Sequence, residues 1–251
     1  MQITVKKSLG QHFLKDENIC KRIVQELQTQ RFTQLLEVGP GTGALTKYLI
    51  KIKDIDFKAV ELDREKGAFL EQTFALIRNK IITEDFLDMK PPFEGEFTVI
   101  GNFPYNISSQ ILFKMLDWQE QVPVMIGMFQ KEVAARAASP AGSKVYGVLS
   151  VLIQAFYNVE YLFDVDASCF MPPPKVTSGV IRLTRRIDVP EMKSTRAFFV
   201  LVKTAFNQRR KTLRNAVKSL FDESVLKEET FLKRAEVLTV EDFAALTFRM
   251  K

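Results

Sequence analysis

Cysteine and histidine are nearly missing from this chain: Cys20, Cys169 and His12 are all there is. The two thiols form no metal-ligand spacing, and no metal is expected. Tryptophan occurs once. No apolar run approaches the ~20 residues a membrane-spanning helix needs, so no membrane partner is expected. The opening residues MQITVKKSLGQHFL carry no long apolar stretch of the kind that directs secretion. The expectation is a cytoplasmic protein with ordinary reduced thiols. Internal repeats and low-complexity segments are also lacking. Since no segment reads as an association surface, a monomer is expected.

What is present is enough apolar material for a real core: 46% of 251 residues. That length fits one large domain, or one of ordinary size with a small appendage. The net charge is only +6, but it is unevenly placed. Between Arg182 and Lys218, eleven lysines and arginines face only Asp188 and Glu191, a local excess of +9. Such a concentration suits a polyanion, and equally a solvated basic helix face; charge alone does not choose between them.

Short apolar runs alternate with helix-like segments up to about residue 185. Gln34–Val38, Phe57–Leu62, Lys80–Thr83 and Phe97–Ile100 read as buried strands, followed later by Val124–Phe129, Asn158–Val165 and Gly179–Thr184. Ala44–Ile50, Arg64–Phe74, Ser108–Leu116, Lys131–Ala138 and Val148–Phe156 read as helices. This alternation predicts an α/β fold with a mostly parallel sheet of seven strands. Beyond Pro190 only helical spacing is found: Phe198, Val202, Ala205 and Phe206, then Leu213, Ala216, Val217 and Leu220. Thr239-Val-Glu-Asp242 resembles a capping box opening a last helix. The expected division is a catalytic domain over 1–188 and a small all-α domain over 189–251.

Residues 35–45 read LLEVGPGTGAL: a strand running into Gly39, Gly41 and Gly43, then a helix. Glycine lets the backbone turn tightly and approach a ligand closely, and the helix start is expected to present free N–H groups. Dinucleotide sites use G-x-G-x-x-G. The pattern here, E-x-G-x-G-x-G, instead resembles the first motif of Rossmann-like class I methyltransferases that use S-adenosylmethionine. About 20 residues on, Glu61 ends the second strand, where a carboxylate can accept from both ribose hydroxyls. Asp85 follows the third strand, where it can accept from an adenine amino group. Either acid alone reads as a surface residue; at the ends of successive parallel strands they share one crevice.

Asn102-Phe103-Pro104-Tyr105 follows the fourth strand. It resembles the N-P-P-Y and N-x-P-Y motifs of methyltransferases acting on exocyclic amino groups of bases. Adenine N6 is a poor nucleophile because its lone pair is delocalised into the ring. It needs acceptors that hold both amino protons. The resemblance implies that these are the Asn102 side-chain oxygen and the Phe103 backbone carbonyl, with Asn102 also against the donor. Pro104 stiffens the turn, and Tyr105 offers a face on which an extruded adenine can stack. No strong base is needed, since a sulfonium methyl is reactive and alignment supplies most of the acceleration.

Lys7–Leu14 (KSLGQHFL), Phe170–Ser178 (FMPPPKVTS), Gln130–Val133 and Lys144–Ser150 make the resemblance specific. Together they are similar, over essentially the whole chain, to the ribosomal RNA adenine dimethyltransferases. Relatives commonly carry Leu where Phe103 stands and Asn where His12 stands. The resemblance therefore implies that His12 and Leu14 contact the methionine end of the donor, and argues against proton transfer by His12. It also implies that Phe170 stacks on the second face of the target adenine. Phe206-Asn-Gln-Arg-Arg-Lys-Thr-Leu-Arg-Asn215 resembles the helical C-terminal domain of the small-subunit branch. Arg209, Arg210, Lys211 and Arg214 are the expected RNA contacts. The implied partners are small-subunit rRNA and the immature 30S subunit. The implied target is two adjacent adenosines in a hairpin near the 3′ end of that RNA, each dimethylated late in assembly. Two rivals share the motifs: the antibiotic-resistance branch acting on large-subunit rRNA, and a mainly non-catalytic assembly factor. A nicotinamide dehydrogenase fails on the glycine spacing, and a DNA adenine methyltransferase leaves the C-terminal match unexplained.

Overall fold

The computed structural model describes residues 12–208 and 210–251. A two-residue strand, β1 (Phe13–Leu14), leads into α1 (Glu17–Gln28), whose first N–H groups are capped by the Asp16 carboxylate. Cys20, Ile23, Val24 and Leu27 form the buried stripe of α1 at helical spacing. Then come β2 (Gln34–Val38), α2 (Thr46–Leu49), β3 (Asp56–Val60), α3 (Arg64–Thr73), β4 (Ile81–Ile82), β5 (Thr98–Asn102), α4 (Ser108–Asp117) and β6 (Val124–Gln130). They are followed by α5 (Lys131–Ala137), α6 (Val148–Gln154), β7 (Tyr157–Val165), β8 (Phe170–Met171) and β9 (Ser178–Arg185). The chain closes with α7 (Thr195–Phe206), α8 (Leu213–Ala216) and α9 (Val240–Thr247), joined by short 3-10 turns.

Seven strands form one sheet in the order β4-β3-β2-β5-β6-β9-β7. The pairs from β4 through to β6 are parallel, and β9 runs antiparallel to β6. β6 is buried at all but its last position, as a strand covered on both faces must be. The chain passes from β2 to β3 and β4 on one side, then crosses to β5 on the other. The C-terminal ends of β2 and β5 therefore border a topological switch point, where open α/β sheets place ligands. β1 pairs antiparallel with β8, bringing Phe13 opposite Met171 and Leu14 opposite Phe170.

The chain packs as two compact units: residues up to Ala134 with Glu160–Arg185, and Ala135–Val159 with Arg186–Lys251. The break after Arg185 lies next to the expected boundary at 188/189. The second unit also takes in Ala135–Val159, which the sequence places in the catalytic domain. Within that unit α6 packs on α7 and α9, giving its apolar face a helical partner. Ser150 Oγ ties α6 back to the Arg136 carbonyl at 2.6 Å. At α9 both halves of the capping box form, with Asp242 in the usual Glu position. The helix expected over Leu213–Leu220 stops at Ala216. α2 is likewise shorter than Ala44–Ile50, because residues 41–45 are spent in turns around the positive φ of Gly43.

Candidate active site

At the switch point lies a cavity lined by His12, Phe13, Leu14, Glu37, Gly39, Gly41, Glu61, Lys66 and Asn102–Tyr105, among others. Gly39, Gly41 and Gly43 have φ of +67°, +59° and +85°, a region where a side chain is strained. Their own N–H groups are engaged within the protein. Gly39 donates to the Val60 carbonyl at 2.9 Å and Gly43 to the Pro40 carbonyl at 2.8 Å. Gly41 donates to Glu61 Oε2 at 3.2 Å. At Gly39 and Gly41 the loop thus presents side-chain-free backbone whose N–H groups are already engaged. Gly43 faces away from the cavity, where a Cβ would run into the Phe74 ring. Its absent side chain lets Phe74, at the end of α3, pack on the loop.

Glu61 is 7% exposed. Besides Gly41 it accepts from the Asp63 N–H at 3.1 Å through Oε1. Burial raises its pKa, opposed by the Asp63 N–H, by Lys66 and by the Gly41 N–H. Each oxygen takes one backbone donor and keeps a lone pair for another, as a vicinal diol would require. Lys66, buried on α3 over the Phe13 ring, is a lining residue that sequence reasoning missed. The signal was its place on the inward stripe with Gly67 and Leu70. Asp85 follows β4 but is not part of the cavity lining; its Oδ1 accepts the Leu87 N–H at 2.9 Å in a local turn.

Glu37, the acid of the glycine motif, is 2% exposed and accepts from Thr46 Oγ1 at 2.7 Å. Burial pushes its carboxyl from an ordinary 4.5 up to about 8; the Thr46 hydrogen bond opposes this and the Glu61 charge adds to it. The folded protein therefore holds this proton more tightly than the unfolded chain. The stability it confers is full below about pH 4.5 and is lost as pH rises toward 8. Glu37→Gln should remove that dependence. Relative to the wild type, the donor-free variant should gain on the order of a few kcal/mol between pH 5 and pH 8.5. Urea unfolding across that range measures it, and parallel curves for the two proteins would contradict the buried-acid assignment.

Asn102 ends β5. Its Nδ2 donates to the His12 carbonyl at 3.1 Å, and no donor among the described residues reaches its Oδ1. The amide is thereby oriented with an acceptor to spare. The Phe103 N–H donates to the Met128 carbonyl at 3.1 Å, while its own carbonyl takes no hydrogen bond from a described residue. Two acceptors thus stand at adjacent positions of one turn. The Phe103 side chain is buried and stacks on Phe129 with ring centroids 4.9 Å apart. Gly101 and Gly127, paired across β5 and β6, make room for it; a Cβ on either would meet the Phe103 ring. Neither glycine was singled out from sequence.

The Tyr105 hydroxyl is 2.5 Å from Ser178 Oγ, and burial raises its pKa against that hydrogen bond. Its ring lies against His12, with centroids 5.4 Å apart and planes 29° apart. Phe170 corrects an expectation: it is 1% exposed and packs in the core with Leu14 and Ile23, outside the cavity lining. It stands opposite Leu14 in the short β1–β8 pair, with its ring in the core rather than on the cavity wall.

The basic segment also reads differently in three dimensions. Arg182 pairs with Glu160 and Glu26, Arg185 with Glu96, and Arg186 with Asp188 and Glu241. Arg210, Lys211 and Arg214 are exposed and form no ion pair among the described residues; Arg209 lies outside the described residues. No cluster of metal-ligating side chains occurs among the described residues. None of the helices found among them is long and apolar enough to cross a membrane.

A family model described as ribosomal RNA adenine dimethylase matches residues 2–248. The chain belongs to that family. A Flavobacterium johnsoniae protein named Ribosomal RNA small subunit methyltransferase A is 49% identical over the whole of this chain and 97% of its own. A Parabacteroides distasonis protein of the same name is 51% identical over 96% of this chain and 92% of its own. Among solved structures, a dimethyladenosine transferase from Plasmodium falciparum superposes with a TM-score of 0.77 at 23% identity, covering 92% of this chain and 94% of that one. The 23S rRNA methyltransferase ErmE superposes with a TM-score of 0.72 at 24% identity, covering 95% and 99%. At such identities the two structures establish a shared Rossmann-like methyltransferase fold and do not separate small-subunit from large-subunit targets. The family makes this chain an S-adenosylmethionine-dependent enzyme that dimethylates adenine in ribosomal RNA.

Proposed function

We propose that the chain dimethylates N6 of two adjacent adenosines in a hairpin near the 3′ end of small-subunit rRNA, late in assembly of the 30S particle. The name carried by relatives about half identical supports the choice of subunit. The observation that carries the chemistry is the oriented Asn102 amide with its unengaged Oδ1 beside the Phe103 carbonyl.

S-adenosylmethionine, when bound, supplies an electrophilic methyl group on sulfur. The cavity fits such a donor: a side-chain-free wall at Gly39 and Gly41, with Glu61 placed to accept from the ribose hydroxyls. Leu14 and the His12 main chain close the end toward Asn102. For the first transfer Asn102 Oδ1 and the Phe103 carbonyl each accept one N6 proton of the target; for the second, the one remaining N6 proton is held by one of these two acceptors. This keeps the nitrogen lone pair out of the ring and aimed at the donor. The proton released after transfer leaves to solvent. Pro104 fixes the turn, and Tyr105 supplies the stacking face. Phe103 acts through its carbonyl, while its side chain anchors the turn in the core. Arg209, Arg210, Lys211 and Arg214 hold RNA phosphates and orient the substrate rather than read its bases.

The test is methylation of undermethylated 30S and 50S subunits with labelled donor, followed by mapping of the modified nucleotides. Label confined to two neighbouring adenosines of 30S RNA is expected. Label on a 50S adenosine would move the protein to the other branch, and binding without label would make it an assembly factor. In the same assay, joint Arg210→Glu and Lys211→Glu should weaken 30S binding and flatten its salt dependence by about two phosphate contacts. An unchanged salt slope would place these residues away from RNA.

A further inference from the structure

His12 is the chain's only histidine. Three separate contacts converge on it. Its main-chain carbonyl accepts from Asn102 Nδ2 at 3.1 Å. Its ring stacks on Tyr105, centroids 5.4 Å apart. Its Nδ1 lies 2.9 Å from the Pro172 carbonyl. A carbonyl can only accept, so Nδ1 carries the proton and the tautomer is set. Pro172 belongs to the proline loop after β8, so one residue joins that loop to both polar ends of the Asn102–Tyr105 turn.

We infer that the His12 side chain is a positioning residue for the target base: it backs one face of Tyr105 and leaves the opposite face to the adenine. This rests on the proposed reading of Asn102 and Tyr105 as the base pocket. It departs from the family resemblance, which assigns position 12 to the donor.

The Tyr105 ring is held at two points. Ser178 Oγ, on the buried start of β9, holds its hydroxyl. His12 holds one of its faces. A ring pinned at its tip and along one side has a single free face, and a base entering the pocket extends the stack from His12 through Tyr105. The hydrogen bond from Nδ1 to Pro172 keeps the imidazole from turning away, so the backing is rigid. Removal of the imidazole leaves the His12 carbonyl, and with it the Asn102 contact, in place. The side-chain effect should therefore appear on the base and not on the donor.

The experiment uses the full chain with undermethylated 30S subunits. His12→Ala should lower kcat/KM for the subunit at saturating donor by about tenfold or more. The Kd of S-adenosylmethionine, measured by calorimetry, should change by less than about threefold. His12→Phe keeps a stacking ring without the donor nitrogen, and should recover much of the loss. In a Tyr105→Ala background the His12→Ala change should cost little, since there is no ring left to back; thermal melting confirms that each variant folds. A donor Kd weakened in step with activity would return His12 to the donor site and overturn the inference. So would unchanged kinetics, or full additivity with Tyr105→Ala. If Asn102→Ala still methylates normally, the reading of the pocket itself fails. If that variant is inactive while His12→Ala behaves as wild type, only the role of His12 fails.

Discussion

Asn102→Ala should reduce methyl transfer to 30S subunits by about a thousandfold, an effect of the size seen when one preorganised transition-state contact is removed. The loss arises from two sources. The Oδ1 acceptor disappears, so the adenine nitrogen keeps its lone pair in the ring. The Nδ2 tether to the His12 carbonyl also disappears, so the segment entering β1 loses its hold on the end of β5. Donor affinity should fall far less than transfer, and subunit binding should persist, because the exposed basic side chains of the second unit are untouched. Asn102→Asp keeps an acceptor but sets a carboxylate against the His12 carbonyl, so it should recover little. Single-turnover assays with labelled donor, beside calorimetry of donor binding, separate these quantities. Near-wild-type transfer by the alanine variant would remove Asn102 from the chemistry.

Gly101→Ala should be nearly as damaging, through packing. A Cβ there would lie 2.6 Å from the Val38 carbonyl oxygen and 2.9 Å from the Phe103 ring. The first is backbone in the middle of the sheet and cannot swing aside. Overpacking of this kind costs about 1–3 kcal/mol, so melting should drop by several degrees. Activity should suffer more than stability. Val38 leads directly into the donor loop, and Phe103 anchors the turn that carries both acceptors. Donor affinity and transfer should therefore fall together, unlike the pattern for Asn102→Ala. Gly95→Ala is the control: its Cβ would come no closer than 3.5 Å to the Gln34 side chain, so it should be almost silent. A fully active, wild-type-stable Gly101→Ala would show that the two strands have slack there.

Much of this was legible in the residues. The strands whose apolar runs are unbroken, such as Gln34–Val38, are found where they were read, because a two-faced buried strand has only one way to be written. Asn102, Glu61 and the glycine loop converge because each follows a parallel strand, and strand order brings those ends together. What was illegible depended on partners far along the chain. Phe170 reads as a loop aromatic until β1 pairs with β8 and turns it into the core. Asp85 sits past the expected strand, where its Oδ1 accepts the Leu87 N–H, a local turn that no spacing rule forecasts. Lys66 and Ser178 matter only through neighbours that no spacing rule connects to them. The arginines at 182, 185 and 186 add to the local charge excess, yet each is paired, with acids at 26, 160, 96 and 241 that lie outside the counted stretch as well as with Asp188 inside it.

The closed hydrogen bonding of the glycine turn has a consequence for turnover. A wall whose glycine N–H groups are already engaged, beside a Glu61 that meets only the ribose, does not distinguish the methylated nucleoside from its spent thioether, which share nearly the same outline. The spent form should then linger where the fresh one sits. The pace of modification would follow the cell's ratio of the two as closely as the supply of ribosomal particles.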